Sequence, residues 1–222
     1  MDWPLAITRN QDALRRIIAA LFALTAVAVN ASLPRHVYAA VMMVLRPAES
    51  AVRRLIVIAA HGLVLKPRAA RPLPSGLPAF PAAGEFRVPA FSLFDPLKHF
   101  DRADFDHSTD AIPHNSFSSF YEADVAPPQF SPADEPVDAA QLFSRLRALR
   151  HALNDLPRQA RRLARWQARR DILLQSNRPF RPMRMSPIRP GPPPGRRIRS
   201  IHEVDDVLRE CHGLARDLMN SS

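Results

Sequence analysis

Prolines decide where this chain can be helical. Of its 23 prolines, twelve lie between Pro67 and Pro136 and seven more between Asn177 and Arg199. A proline inside a helix removes a hydrogen bond and clashes with the preceding turn, and clustered prolines hold the backbone extended. Helices are therefore expected in the stretches between the clusters. The expected fold class is all-α, in three zones. Residues 1–66 form an apolar, membrane-proximal helical module, residues 67–136 a mostly disordered acidic connector, and residues 137–222 a small group of two or three amphipathic helices with an extended proline–arginine linker at 177–199.

Charge follows the same division. Residues 1–70 hold 9 basic and 3 acidic side chains, 71–140 hold 4 and 11, and 141–222 hold 18 and 7, for a net charge of +10. Only Lys66 and Lys98 of the 31 basic residues are lysines. A GC-rich coding sequence produces such a skew without any demand for phosphate recognition, so the position of the arginines carries more information than their number. The one cysteine, Cys211, excludes a disulfide framework within the chain and any multi-cysteine metal site.

In the first zone, Asp2 and Pro4 are helix-start residues, and the stretch through Val29 holds neither glycine nor a further proline, which predicts one long helix. Its first half is amphipathic through Arg9, Asp12, Arg15 and Arg16. From Ile17 to Pro34 the chain is uncharged, and at helical rise these 18 residues reach roughly 27 Å against a hydrocarbon core of about 30 Å. Three readings share these residues: a transmembrane helix, a cleaved signal segment behind an unusually long charged leader, and a buried helix of a bundle. Two shorter apolar segments, His36–Leu45 and Leu55–Leu65, flank Arg46, Pro47, Glu49, Arg53 and Arg54. Fusing them into a second span would put several charges in mid-bilayer at about 2.5–3.5 kcal/mol each. They are read as a short helical hairpin, started by Pro34 and Pro47 and stopped at Gly62, whose arginines reach lipid head groups while Val41, Met42, Leu45, Leu55 and Ile58 dip inward.

The connector carries nine of the twelve phenylalanines, from Phe80 to Phe130, interleaved with aspartates. Aromatic anchors on an acidic extended chain suit short-motif recognition by a partner, and equally a tether folding back onto the basic helices at either end. The Pro78–Pro81 match to a PxxP motif is expected by chance among so many prolines. Asp104, Asp106, His107, Asp110 and His114 have neither calcium-loop nor histidine-pair spacing, so no metal site is assigned.

In the third zone, Leu142, Leu146, Leu149 and Leu153 recur at steps of four and three, the stripe of a helix over about 137–155. Pro157 restarts the backbone, and Arg158, Arg161, Arg162, Arg165 and Arg169 then fall within about 100° of one another on a helical wheel, opposite Leu156, Ala160, Leu163 and Leu174. These five arginines are the candidate contacts to an anionic surface: lipid head groups, an acidic protein or nucleic-acid phosphates. Ser200 and Glu203 suggest a capping box for a last helix striped by Ile201, Val204, Leu208, Cys211 and Leu218. Leu142, Leu146, Leu149, Leu153, Ile201, Val204, Leu208 and Leu218 together make a candidate face, with coiled-coil-like spacing, for a partner helix or a second copy of the chain. Cys211 on that stripe reads as a small apolar residue, and His202–Glu203 lacks the second histidine of a zinc motif.

No paired carboxylates, nucleophile elbow, phosphate loop, metal-ligand spacing or cofactor fingerprint is visible. Catalytic, cofactor and metal residues are accordingly none. The sequence does not specify a biochemical function. The reading it favours is a non-enzymatic adaptor associated with a membrane, its bulk cytoplasmic; the alternative is a soluble arginine-rich nucleic-acid-binding or regulatory protein.

Overall fold

The computed structural model describes residues 2–27, 31–65, 89–96, 135–175 and 186–220. The connector outside 89–96 and 135–136, the PxxP match, the Asp104–His114 cluster and the linker residues 177–185 lie outside the described residues. Among the described residues five helices carry the fold: α1 (Trp3–Leu24), α2 (Arg35–Ala60), α3 (Ala140–Asn154), α4 (Leu156–Gln175) and α5 (Glu203–Asn220). A short antiparallel ribbon joins β1 (Ser32–Pro34) to β2 (Pro136–Asp138), with Leu33 opposite Val137. It staples the start of α2 to the start of α3, and Arg35 reinforces it by donating from its backbone and its guanidinium to Glu135.

Helix α1 starts where its sequence says. The Asp2 carboxylate accepts the Leu5 N–H at 3.2 Å, and Pro4 sits in the first turn, where no donor is missed. The uncharged run is not one helix, however. Helix α1 stops at Leu24, a single 3₁₀ turn covers Thr25–Val27, and the chain enters β1 through Ala31 at a φ of 61°. Ile17, Ile18 and Leu21 are buried in protein, whereas Ala19, Ala20, Ala23 and Leu24 face out. Among the described residues no helix is long and apolar enough to cross a membrane. The expected transmembrane helix is thereby corrected: the run is half of an amphipathic packing face, diluted by alanines and broken at its far end.

The expected hairpin is a single helix. Helix α2 runs through Pro47, and from Pro47 to Ile58 every residue is buried, so three turns are surrounded on all sides by the rest of the molecule. Proline leaves the Met43 carbonyl, four residues back, without its helical donor. Arg197 fills that vacancy, its Nη2 donating to Met43 O at 2.8 Å. The same stretch of chain seats itself on the lesion: Ser50 Oγ donates to Pro194 O at 2.7 Å, and Gly195 lies against the Pro47 ring and the Arg46 carbonyl carbon. Residues 186–200 are thus an ordered strap over α2, not an extended linker. Gly62, at a φ of 77°, follows the end of α2 as expected.

Helices α3 and α4 meet at Asp155, which closes the first and caps the second by accepting the Arg158 N–H at 3.2 Å. Gln11 of α1 donates to Leu153 O at 2.6 Å, supplying a partner to one of the last carbonyls of α3. Helix α5 begins with a different cap from the one expected. The Asp205 carboxylate, rather than Glu203, reaches back to the N–H groups of Ile201 and His202, while His202 Nδ1 accepts from Val204. Ser200 plays no part in it.

One core draws on both ends of the sequence. Leu142, Leu146, Leu149 and Leu153 are at most 1% exposed, and Val204, Leu208 and Leu218 at most 6%. These seven pack with α1 and α2, so the chain itself covers the faces that were expected to need a partner helix. Ile201 precedes α5 and is exposed, and Leu174 likewise misses the core. Covering α2 on all sides is what consumes these stripes: α1, α3, α4 and α5 all contact it.

The strap makes a graded prediction. A Cβ on Gly195 would lie 2.7 Å from Pro47 N, and its φ is 81°; Gly191 has a φ of 84° but nothing within 4 Å. Gly191→Ala should cost roughly 1–2 kcal/mol for the left-handed conformation alone. Gly195→Ala should cost distinctly more, because the obstructing atoms belong to a buried helix backbone. Urea unfolding of the two variants checks the order.

Candidate functional site

Burying a charge without a partner is prohibitively costly, so the charges inside this core must be matched. Helix α2 places Glu49, Arg53 and Arg54 in its surrounded turns, and Asp95, from the segment 89–96, joins them. Arg54 and Asp95 are both 0% exposed. The Arg54 guanidinium spends its donors on Asp95 Oδ2 at 3.0 Å, Asp95 Oδ1 at 3.5 Å, Ser50 O at 2.8 Å and His212 Nδ1 at 3.2 Å. Arg53 lies 3.6 Å from both Asp95 and Glu49, donates to Ser92 O at 3.1 Å and sits over the Phe91 ring. Arg145 of α3 completes the cluster with two 2.9 Å bonds to Glu49, which hold its guanidinium above the ordinary arginine value. Burial pulls Arg53 and Arg54 below that value while their carboxylate partners pull them back. Both remain cationic at any physiological pH.

Asp95 also organises backbone. Its N–H donates to Pro187 O at 3.0 Å, and its Oδ2 accepts the Arg189 N–H at 3.3 Å. A piece of the acidic connector and the basic strap therefore meet on α2. Phe91 and Leu93 enter the core, and Phe94 meets Trp166 edge-on with ring centroids 5.0 Å apart. Of the two expectations for the aromatic connector, folding back onto the helices holds for 89–96. Arg53 and Arg54 were expected at lipid head groups; they are inward charges, and the sequence signal for that was their place inside an otherwise apolar segment.

The five arginines of α4 are all exposed. Arg162 donates to Phe91 O at 2.8 Å, and Arg158 lies 3.9 Å from Asp155. Arg161, Arg165 and Arg169 have no side-chain partner among the described residues. Beyond them Ile172 and Leu173 are 47% and 51% exposed. Ile172 follows Arg169 by three residues and Arg165 by seven, so it extends the same row along the helix. Leu156, Ala160 and Leu163 on the other side are buried.

On α5, Cys211 is fully buried, and burial pushes its thiol up to about 12, which removes it as a nucleophile. His212 beside it is held below the ordinary histidine value by partial burial and by Arg54, Arg216 and Arg196. Among the described residues no three potential ligands gather around a metal position.

No protein-family model, curated protein or solved structure matches this chain. Two predictions separate the inner charges from outer ones. Asp95→Ala leaves the buried Arg54 guanidinium without a carboxylate and Arg53 with Glu49 alone, and should cost roughly 3–5 kcal/mol, whereas Glu203→Ala, which breaks an exposed pair with Arg16, should cost at most about 1 kcal/mol, both read from urea unfolding. For His212 the unfolded chain takes up a proton near pH 6.5 and the folded chain only lower, so its contribution to stability is complete above that value and is lost as pH falls through it. Arg54, Arg196 and Arg216 face the ring, with Asp95 beyond Arg54. Unfolding midpoints should therefore begin to drop as the pH falls below about 7, and His212→Asn, whose Oδ1 replaces Nδ1, should flatten that drop.

Proposed function

We propose that this chain is a non-enzymatic adaptor that docks reversibly on an anionic membrane surface through the arginine face of α4. The supporting observation is the row of exposed arginines, three of them without a partner among the described residues, that ends in exposed Ile172 and Leu173. Cations along a helix with apolar side chains at its tip match the layering of a bilayer edge, where phosphates lie above the acyl boundary.

The magnitudes favour reversible attachment. Each arginine near an anionic leaflet contributes about 1 kcal/mol, so five give about 5 kcal/mol, and the apolar tip adds a little more. That corresponds to millimolar to sub-millimolar binding by the face alone, strongly weakened by salt. A nucleic acid offers the same phosphates. Base stacking would need a free aromatic ring beside the arginines, and the nearby Trp166 is engaged with Phe94 and Arg170.

Vesicle flotation tests the reading. The full chain should float with vesicles of phosphatidylserine and phosphatidylcholine, stay behind with phosphatidylcholine alone, and detach as salt approaches about 0.5 M. Arg161→Glu, Arg165→Glu and Arg169→Glu together should abolish flotation without lowering the unfolding midpoint. Equal flotation of the triple variant, or salt-sensitive binding to RNA or DNA with none to vesicles, would overturn it.

A further inference from the structure

Between the strap and α5 lies a cavity of about 240 Å³ whose wall includes Arg196, Arg197, Arg209, Arg216, His212 and Asp205. It stands apart from the α4 face and does not depend on that reading. Four guanidiniums around one small concavity, with a single carboxylate among them, create a focused positive field.

The internal contacts use only part of this charge. Arg197 is committed to Asp205 Oδ2 at 3.3 Å and to the Met43 carbonyl, and Arg209 pairs with Asp206 at 2.9 Å. Arg196 and Arg216 have no side-chain partner among the described residues. They come from different elements, the strap and α5, and both act on His212 from close enough to lower its proton affinity. The histidine has a defined tautomer. A guanidinium is always a donor, so the Nδ1 that accepts from Arg54 at 3.2 Å carries no proton, and the neutral ring keeps its hydrogen on Nε2. His212 thus offers an N–H donor beside two uncommitted guanidiniums.

We infer that this cavity is a binding site for a compact phosphate dianion, either inorganic phosphate or the head of a phosphomonoester, clamped between Arg196 of the strap and Arg216 and His212 of α5. Guanidinium forks match the oxygen spacing of phosphate, and the volume suits a small polar ion better than a drug-sized organic ligand. Because the two arginines sit on separate elements, the bound anion ties the strap to α5 and stabilises the folded chain.

The test uses the full chain at constant ionic strength. Titration with inorganic phosphate should give saturable heat by calorimetry and raise the thermal midpoint, with chloride as the balancing salt. Arg196→Gln with Arg216→Gln should weaken binding at least tenfold while leaving the phosphate-free midpoint in place, since neither side chain has an internal partner to lose. Phosphate also stabilises proteins by general exclusion. An equal midpoint rise in the double variant would overturn the assignment; saturable heat lost in that variant supports it. Glycerol 3-phosphate in solution and vesicles containing phosphatidic acid then distinguish a free ligand from a lipid head: competition by the first supports a soluble ligand, binding only to the second a lipid. Binding to none of the three probes overturns both.

Discussion

The fold turns on how two adjacent arginines, Arg53 and Arg54, are accommodated in a helix that is surrounded on every side. Successive residues on a helix point about 100° apart, so the pair cannot escape to solvent on one face. Asp95 resolves this from outside the helix. Fully buried, it meets both guanidiniums and also binds the strap through Pro187 O and Arg189 N. The segments 89–96 and 186–200 have no helix or strand of their own to fix them. Their positions are set by this ion cluster together with Phe91, Leu93 and Ile188 in the core.

Such a cluster contributes less to net stability than its contacts suggest, since desolvating five charged groups offsets much of the attraction. Its effect is on alternatives. An apolar core tolerates slippage of a proline-rich strand by a residue or two, whereas a buried guanidinium accepts only an arrangement that satisfies its donors. Arg54 does so with Asp95, Ser50 O and His212 together. A shift of the strap would break the Asp95–Arg189 and Asp95–Pro187 bonds at the same time as the seat of Gly195 on Pro47. The three features fail or hold as a unit.

What could be read from the sequence was whatever depended on neighbours within a turn or two: the Asp2 cap, the leucine stripe of α3, the restart at Pro157, the periodicity of α5 and the glycine stop after α2. What could not be read depended on residues distant in the chain. Pro47 looked like a helix start because nothing local says that Arg197, 150 positions on, serves the orphaned Met43 carbonyl. The uncharged run from Ile17 turns Ala19, Ala20, Ala23, Leu24 and Ala26 outward, whereas the surrounded turns are those that contain Glu49, Ser50, Arg53 and Arg54. Local hydropathy ranks those two segments in reverse order, because a charge paired across the fold counts as polar in sequence and as core in space. The α4 arginine row was legible as a row; that Arg162 serves Phe91 O while Arg161, Arg165 and Arg169 remain free was not.

The preference for arginine over lysine acquires a meaning inside the molecule whatever its origin in codon usage. Arg54 engages four acceptors, Arg145 grips Glu49 with two parallel bonds, and Arg197 bridges a carboxylate and a helix carbonyl. A lysine ammonium, a point charge on a flexible stem, could not span these sets. Once the arginines committed inward are set aside, the outward ones include the row on α4 and Arg196 with Arg216 beside His212, together with the scattered Arg46, Arg147 and Arg199. Structural demand accounts for the first class by its geometry. Arg161, Arg165 and Arg169 of the α4 row, and Arg196 with Arg216, have no such account within the described residues, and exposed guanidiniums that the fold does not use are where this chain has charge to offer a ligand.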